Sequence, residues 1–180
     1  MTNSDGIRQL VEAMAFAAGR HRDQRRKDVH ATPYINHPLA LARVLMSEGG
    51  VTDLPTIIAA VLHDTIEDTE TTRDDLVGHF GEHVATIVVE VTDEKHLPKQ
   101  RRKEMQIEHA PHLSSQARAV KLADKICNLR DVAHSPPAGW SLARRQEYFD
   151  WAKAVIDGLR GHHPELERVF DETFEHRPAS

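Results

Sequence analysis

Residues 59 to 69 read AAVLHDTIEDT, an apolar run into which His63, Asp64, Glu67 and Asp68 are set within six positions. The Ala, Val, Leu and Ile around them ask to be buried, and with Thr52 or Asp53 available as an N-cap the spacing predicts a helix from Leu54 to about Glu67. On a wheel of ~100° per residue with His63 at zero, Glu67 falls near 40°, Asp64 near 100° and Asp68 near 140°. Val61, Ile58, Leu62, Ile66 and Ala59 fill the arc from about 160° to 320°. The fold therefore has to bury one face of this helix and give the other a cleft. Three acids near a helix C-terminus also oppose the macrodipole unless something positive sits beside them.

The rest of the chain reads as further helices with short connections. Apolar spacing predicts one from Ile7 to Gly19, a loop over 22 to 35, and a second helix opened by His37-Pro38 and closed by Gly49-Gly50. After the Leu54 helix come a short one holding Leu76, Val77 and Phe80, then HVATIVVEVTD. Val88-Val89-Glu90-Val91 suits a strand on propensity, but no second strand is there to pair with it, so it too is read as helix. Residues 99 to 109, 115 to 133, 141 to 161 and 164 to 176 complete an all-α bundle of about eight to nine helices in a single domain, 1 to 180.

No apolar stretch approaches the ~20 residues that span a bilayer, and MTNSDGIRQL lacks the pattern of a secretory signal, so a cytoplasmic location is expected. Cys127 is the only cysteine, which excludes an intrachain disulfide and a thiolate zinc cage. Any metal site must draw on His, Asp and Glu. A net charge of −5 and the lack of a basic face interleaved with aromatics speak against nucleic acid as partner. Charge is instead segregated: RHRDQRRK (20 to 27) is basic and 64 to 75 acidic, which suits an anionic small molecule bound beside a carboxylate-held cation, or simply two solvated helix ends.

Adjacent His63 and Asp64 reach one cation only if it sits over the helix edge between them, and other segments must then complete its shell. A histidine nitrogen with carboxylate oxygens suits Zn²⁺, Mn²⁺ or Fe²⁺ better than Mg²⁺ or Ca²⁺. Glu67 and Asp68, one turn on, are placed to accept a proton from a water or to orient it. His37 in TPYINHP sits at a loop-to-helix junction. Asp124 in VKLADKICNLRD lies among Val120, Leu122, Ala123, Ile126 and Leu129, so its carboxylate needs a cation or donors, whether a metal, Lys121 or Lys125. Asn128 shares its face. Singly, each of these residues has a plainer reading, as helix start, ion pair or charged helix end. Trp140, Tyr148, Phe149 and Trp151 read mainly as core aromatics.

Together, the order H…HD…D resembles the HD-domain metal-dependent phosphohydrolases, and more narrowly the hydrolase domain of the RelA/SpoT family, which degrades guanosine tetra- and pentaphosphate. Five ordered blocks carry the match: QRRKD…TPYINHP, AAVLHDTIEDT, FGEHVATIVVEVTDEK, AVKLADKICNLRDV and GWSLARRQEYFDWA, within residues 24 to 152. The last block and the short length resemble the stand-alone hydrolases typified by metazoan SpoT homologues.

The resemblance implies a (p)ppGpp 3′-pyrophosphohydrolase with His37, His63, Asp64 and Asp124 as metal ligands and Mn²⁺ as the usual activator. It implies that Glu67 and Asp68 activate or position the attacking water. Arg26 and Lys27 match phosphate-meeting residues, Asn128 a residue near the nucleoside, and Arg144 and Tyr148 positions that approach the ligand, with Lys99 a further phosphate contact. Asp131 departs from the threonine of the long enzymes, which bears on the substrate pocket. Three alternatives remain open: removal of the 2′-phosphate of NADPH, another HD-family nucleotide phosphohydrolase, and a non-catalytic nucleotide-sensing HD module. Oligomeric state is not legible.

Overall fold

A computed structural model describes residues 3–179; residues 1, 2 and 180 of the expected domain lie outside it. In chain order the α-helices are α1 (Asn3–Arg20), α2 (Asn36–Arg43), α3 (Leu54–Leu62), α4 (Thr65–Asp68), α5 (Arg73–Phe80), α6 (Glu82–Val91), α7 (Lys99–His109), α8 (Ser115–His134), α9 (Leu142–Asp157) and α10 (Pro164–Phe174). A π-helical segment, Val44–Glu48, extends α2, and a 3₁₀ turn, Ala110–His112, follows α7. The only β pairing among the described residues is the isolated bridge between Arg25 and Pro33. The expected all-α bundle is present, with ten α-helices because the third predicted one is split.

That split is the main correction. α3 starts as its sequence demands, Asp53 accepting from the Thr56 N–H at 3.1 Å, with Pro55 in a first turn that needs no donor from it. It stops at Leu62. His63 Nδ1 bonds the Ala60 carbonyl (2.9 Å) and Thr65 Oγ1 the Leu62 carbonyl (2.7 Å), so side chains take up acceptors the helical ladder would use, and Asp64 sits at φ −99°, ψ 0°. Glu67 and Asp68 thus belong to a separate single turn, not to the C-terminus of a long helix.

Thr56 through Leu62 are all buried, because α1, α2, α6 and α8 surround α3. α8, started by a Ser114 cap, is the second central element and packs on α2, α3, α6, α9 and α10. Burial also settles the ambiguous valines: Val84, Ala85, Val88 and Val91 form one helical stripe against α3 and α8, which overrides their β propensity. Two glycines are required by geometry. Gly81 turns the chain between α5 and α6 at φ +85°, and a side chain on Gly49 would run into Leu166 of α10. α7 buries none of its residues fully; it rests on α9, where Trp151 Nε1 donates to the Lys103 carbonyl at 3.1 Å. α9 ends at Asp157, earlier than expected.

Candidate metal-dependent active site

The end of α3, the start of α2 and the middle of α8 meet at one point, which brings together residues from three sequence blocks. His37 Nε2 lies 3.2 Å from Asp124 Oδ1, and His63 Nε2 lies 4.0 Å from the same oxygen. One ligand atom from each of His37, His63 and Asp124 falls within 4.8 Å of the others, and all three side chains are nearly inaccessible.

The tautomer of His63 is set by its backbone bond. With Nδ1–H donating to Ala60, Nε2 is the nitrogen left to face a cation, and it has no aligned hydrogen-bond partner among the described residues, although Asp64 Oδ2 is 2.8 Å away. A buried nitrogen left this way beside two carboxylates is costly unless a cation joins them. The donor set of two imidazoles and carboxylates fits a divalent metal, and the ring already held by a backbone carbonyl is what such a ligand requires.

Each carboxylate is supported. Asp124 Oδ1 accepts from Asn128 Nδ2 at 2.6 Å and Oδ2 from the buried Lys125 ammonium at 3.0 Å. Burial alone would raise its pKa, but Lys125 and the two histidines hold it well below the usual carboxylate range. Of the two lysines that could have answered Asp124, Lys125 does so, while Lys121 faces Asp93 at 3.8 Å. Asp64 accepts from the Tyr34 hydroxyl, and in spite of its burial His63 and His37 push its pKa down. Burial and Asp64 together push the Tyr34 phenol up, so it stays a donor.

Glu67 and Asp68 differ in their surroundings. Glu67 Oε2 accepts a long bond from the Asp93 N–H (3.3 Å) and Oε1 lies 3.5 Å from Arg102; burial, then Asp93 and Asp64, raise its pKa. Asp68 has both oxygens engaged, Oδ1 by Lys95 Nζ at 2.6 Å and Oδ2 by Gln24 Nε2 at 2.8 Å.

These groups open onto a cavity of about 750 Å³. Arg26, Lys99, Asn128, Arg144 and Tyr148, which the resemblance marks as substrate contacts, line it, and so do Arg102, Lys103, Lys121 and Lys125, which sequence reasoning did not single out as site residues. Lys27 is exposed and faces an adjoining groove instead. Arg26 bridges the two spaces. Its guanidinium pairs with Asp131, reaches Asn128 Oδ1 at 3.3 Å and covers the Tyr34 ring at 5.7 Å, so the unusual Asp131 answers part of the charge expected for phosphate. The aromatics divide: Phe149 is core, whereas Trp140, Tyr148 and Trp151 face the cavity. Arg144 lies over Trp140 at 4.5 Å, and Lys125 over Trp151 at 4.6 Å. Gln24 and Tyr34 stood inside the QRRKD and TPYINHP blocks, but their bonds to Asp68 and Asp64 had no local signal.

Comparison with known proteins agrees with this geometry. Residues 13–150 match the family described as HD domain. The chain is 56% identical over 165 residues, 92% of each chain, to the guanosine-3′,5′-bis(diphosphate) 3′-pyrophosphohydrolase MESH1 of Xenopus tropicalis. It is 54% identical to its Homo sapiens counterpart, over 94% of each chain. A solved structure of a metazoan ortholog of SpoT, described as hydrolysing ppGpp, superposes with a TM-score of 0.91 at 46% identity, over 94% of this chain and 95% of that one. The chain belongs to the HD-domain family and, within it, to the short RelA/SpoT-like proteins that include MESH1.

Proposed function

We propose that this protein is a metal-dependent guanosine-3′,5′-bis(diphosphate) 3′-pyrophosphohydrolase, one HD-type domain over 1 to 180 acting in the cytoplasm. The observation that carries the reading is the buried His37, His63 and Asp124 cluster at the floor of a cavity walled by seven cationic side chains. A small polyanion fits such walls. Among the described residues no helix is long and apolar enough to cross a membrane.

His37, His63, Asp64 and Asp124 hold the cation, with Mn²⁺ the expected ion. When bound, it supplies Lewis acidity and offsets phosphate charge. Lys99, Arg144 and Arg26 meet the phosphates in the cavity, Lys27 meets them only where they extend into the adjoining groove, and Asn128 and Tyr148 border the nucleoside. Glu67, with its raised pKa, takes the proton of a water whose oxygen attacks the phosphorus on the ribose 3′ oxygen, and Asp68 supports that step. The bond from phosphorus to the 3′ oxygen breaks, the 3′ oxygen takes up a proton, and GDP and pyrophosphate leave; the pentaphosphate gives GTP. Cationic walls favour charge as it shifts onto the transferred oxygens.

Product analysis by ³¹P NMR tests this. Purified protein with Mn²⁺ and guanosine tetraphosphate is expected to give GDP and pyrophosphate in equal amounts. Orthophosphate alone would support a phosphatase, and no turnover a nucleotide-sensing module.

A further inference from the structure

Asp68 has both carboxylate oxygens engaged, and its partners come from two other segments. Lys95, in the connection between α6 and α7, donates to Asp68 Oδ1 (2.6 Å) and to the Glu67 carbonyl (2.8 Å). Gln24, in the connection after α1, donates to Asp68 Oδ2 at 2.8 Å, and its own Oε1 is paired with Nδ1 of the buried His21 at 2.6 Å. The His21 ring in turn packs on Tyr34 with centroids 4.9 Å apart, and Tyr34 donates to Asp64. The single turn α4, cut off from α3 by the break at His63-Asp64, thus has its last residue tied on both sides.

We propose that Lys95 and Gln24 are positioning residues which, by taking one oxygen each, make Asp68 the clasp that orients α4 and leave Glu67 alone to accept the proton. This rests on the hydrolase reading above. A carboxylate held at 2.6 and 2.8 Å by two donors is poorly placed to turn toward a water, whereas Glu67 makes only long contacts. The effect belongs to orientation rather than to global stability, since Lys95 is half exposed and an ion pair of that kind adds little to folding.

Steady-state kinetics on guanosine tetraphosphate with saturating Mn²⁺, metal content by mass spectrometry, and amide hydrogen exchange over residues 64–70 test it in the full chain. Lys95→Met and Gln24→Leu should each lower kcat about 10- to 100-fold, the scale of a small misplacement of a reacting group, with KM within about threefold. Metal content should stay unchanged, and exchange across α4 should quicken. Lys95→Arg should recover kcat to within about threefold of wild type. Asp68→Asn should lose no more than Lys95→Met, and the double variant little beyond either. A raised KM with unchanged kcat in Lys95→Met would make Lys95 a substrate contact and overturn the proposal. So would Asp68→Asn losing as much as Glu67→Gln. If wild type fails to turn over guanosine tetraphosphate, the hydrolase reading fails on its own, and the exchange arm still decides the clasp: quicker exchange supports it, unchanged exchange refutes it.

Discussion

Lys125→Met probes the least visible support of the site. The Lys125 side chain is 3% exposed and that of Asp124 12%, and their charged atoms are 3.0 Å apart. Methionine fills nearly the same volume beneath Trp151 but leaves Asp124 with only His37 and Asn128. Removing one partner of a buried pair costs about 3–5 kcal/mol, because the other charge stays buried without its fixed counter-charge. Loss of the contact with the Trp151 ring adds about 0.5–2 kcal/mol. For a chain of this size each kcal/mol shifts Tm by about 2–4 °C, so the metal-free variant should melt about 7–28 °C below wild type. The assay is calorimetry or circular dichroism in EDTA, repeated with Mn²⁺. Bound cation answers Asp124 in place of the ammonium, so the gap should narrow with metal. Replacing both charges, Asp124→Leu with Lys125→Met, should cost at least ~2 kcal/mol less than the two single changes summed. A metal-free Lys125→Met that melts within about 2 °C of wild type would refute the assignment of Lys125 as the charge that makes Asp124 tolerable.

Glu67→Gln should keep the metal and lower kcat by about 10²-fold or more, measured as product release beside metal content. Full activity would remove Glu67 from the proton step. The same variant has a signature in stability. The folded-state pKa of Glu67 is raised by burial and by Asp93 and Asp64, so ionisation destabilises the fold above that pKa and is harmless below the unfolded value. Metal-free Glu67→Gln should therefore melt above wild type near pH 8, the advantage fading toward pH ~4; an advantage that grows on acidification would contradict the sign. Tyr34→Phe removes the hydroxyl that holds Asp64 and should weaken Mn²⁺ binding about 10- to 100-fold by titration calorimetry, with unchanged affinity counting against that support. Arg118 is buried and donates to the carbonyls of Pro111 (2.6 Å), Leu113 (2.9 Å) and Leu159 (3.2 Å). Arg118→Met strands them and should cost about 3 kcal/mol or more in urea unfolding, at about 1–3 kcal/mol per unsatisfied group.

Helix positions were legible because burial follows a local period that any window of sequence carries, and Asp53 marks a start by capping; the Ser114 and Ser141 caps are seen only in the structure. The grouping of His37, His63 and Asp124 was legible through the resemblance, which joined residues that singly have plainer readings. The break after Leu62 was not, since it depends on His63 and Thr65 turning back onto carbonyls, which apolar periodicity does not record. Contacts between distant segments were invisible for the same reason. Tyr34 to Asp64, Gln24 to Asp68 and Lys95 to Asp68 join residues 27 to 44 positions apart. Trp140 and Trp151 look like core by composition but line the cavity, a placement set by the packing of distant segments that local sequence does not record.

The central claim is that water attacks phosphorus at the 3′ position on this site. Hydrolysis of guanosine tetraphosphate in ¹⁸O-labelled water with Mn²⁺, read by mass spectrometry of both products, tests it most directly. The account predicts one ¹⁸O in pyrophosphate and none in GDP, with both lost in Asp64→Ala together with the bound metal. Label in the ribose 3′ oxygen, orthophosphate as the sole labelled product, or turnover that survives Asp64→Ala would contradict it.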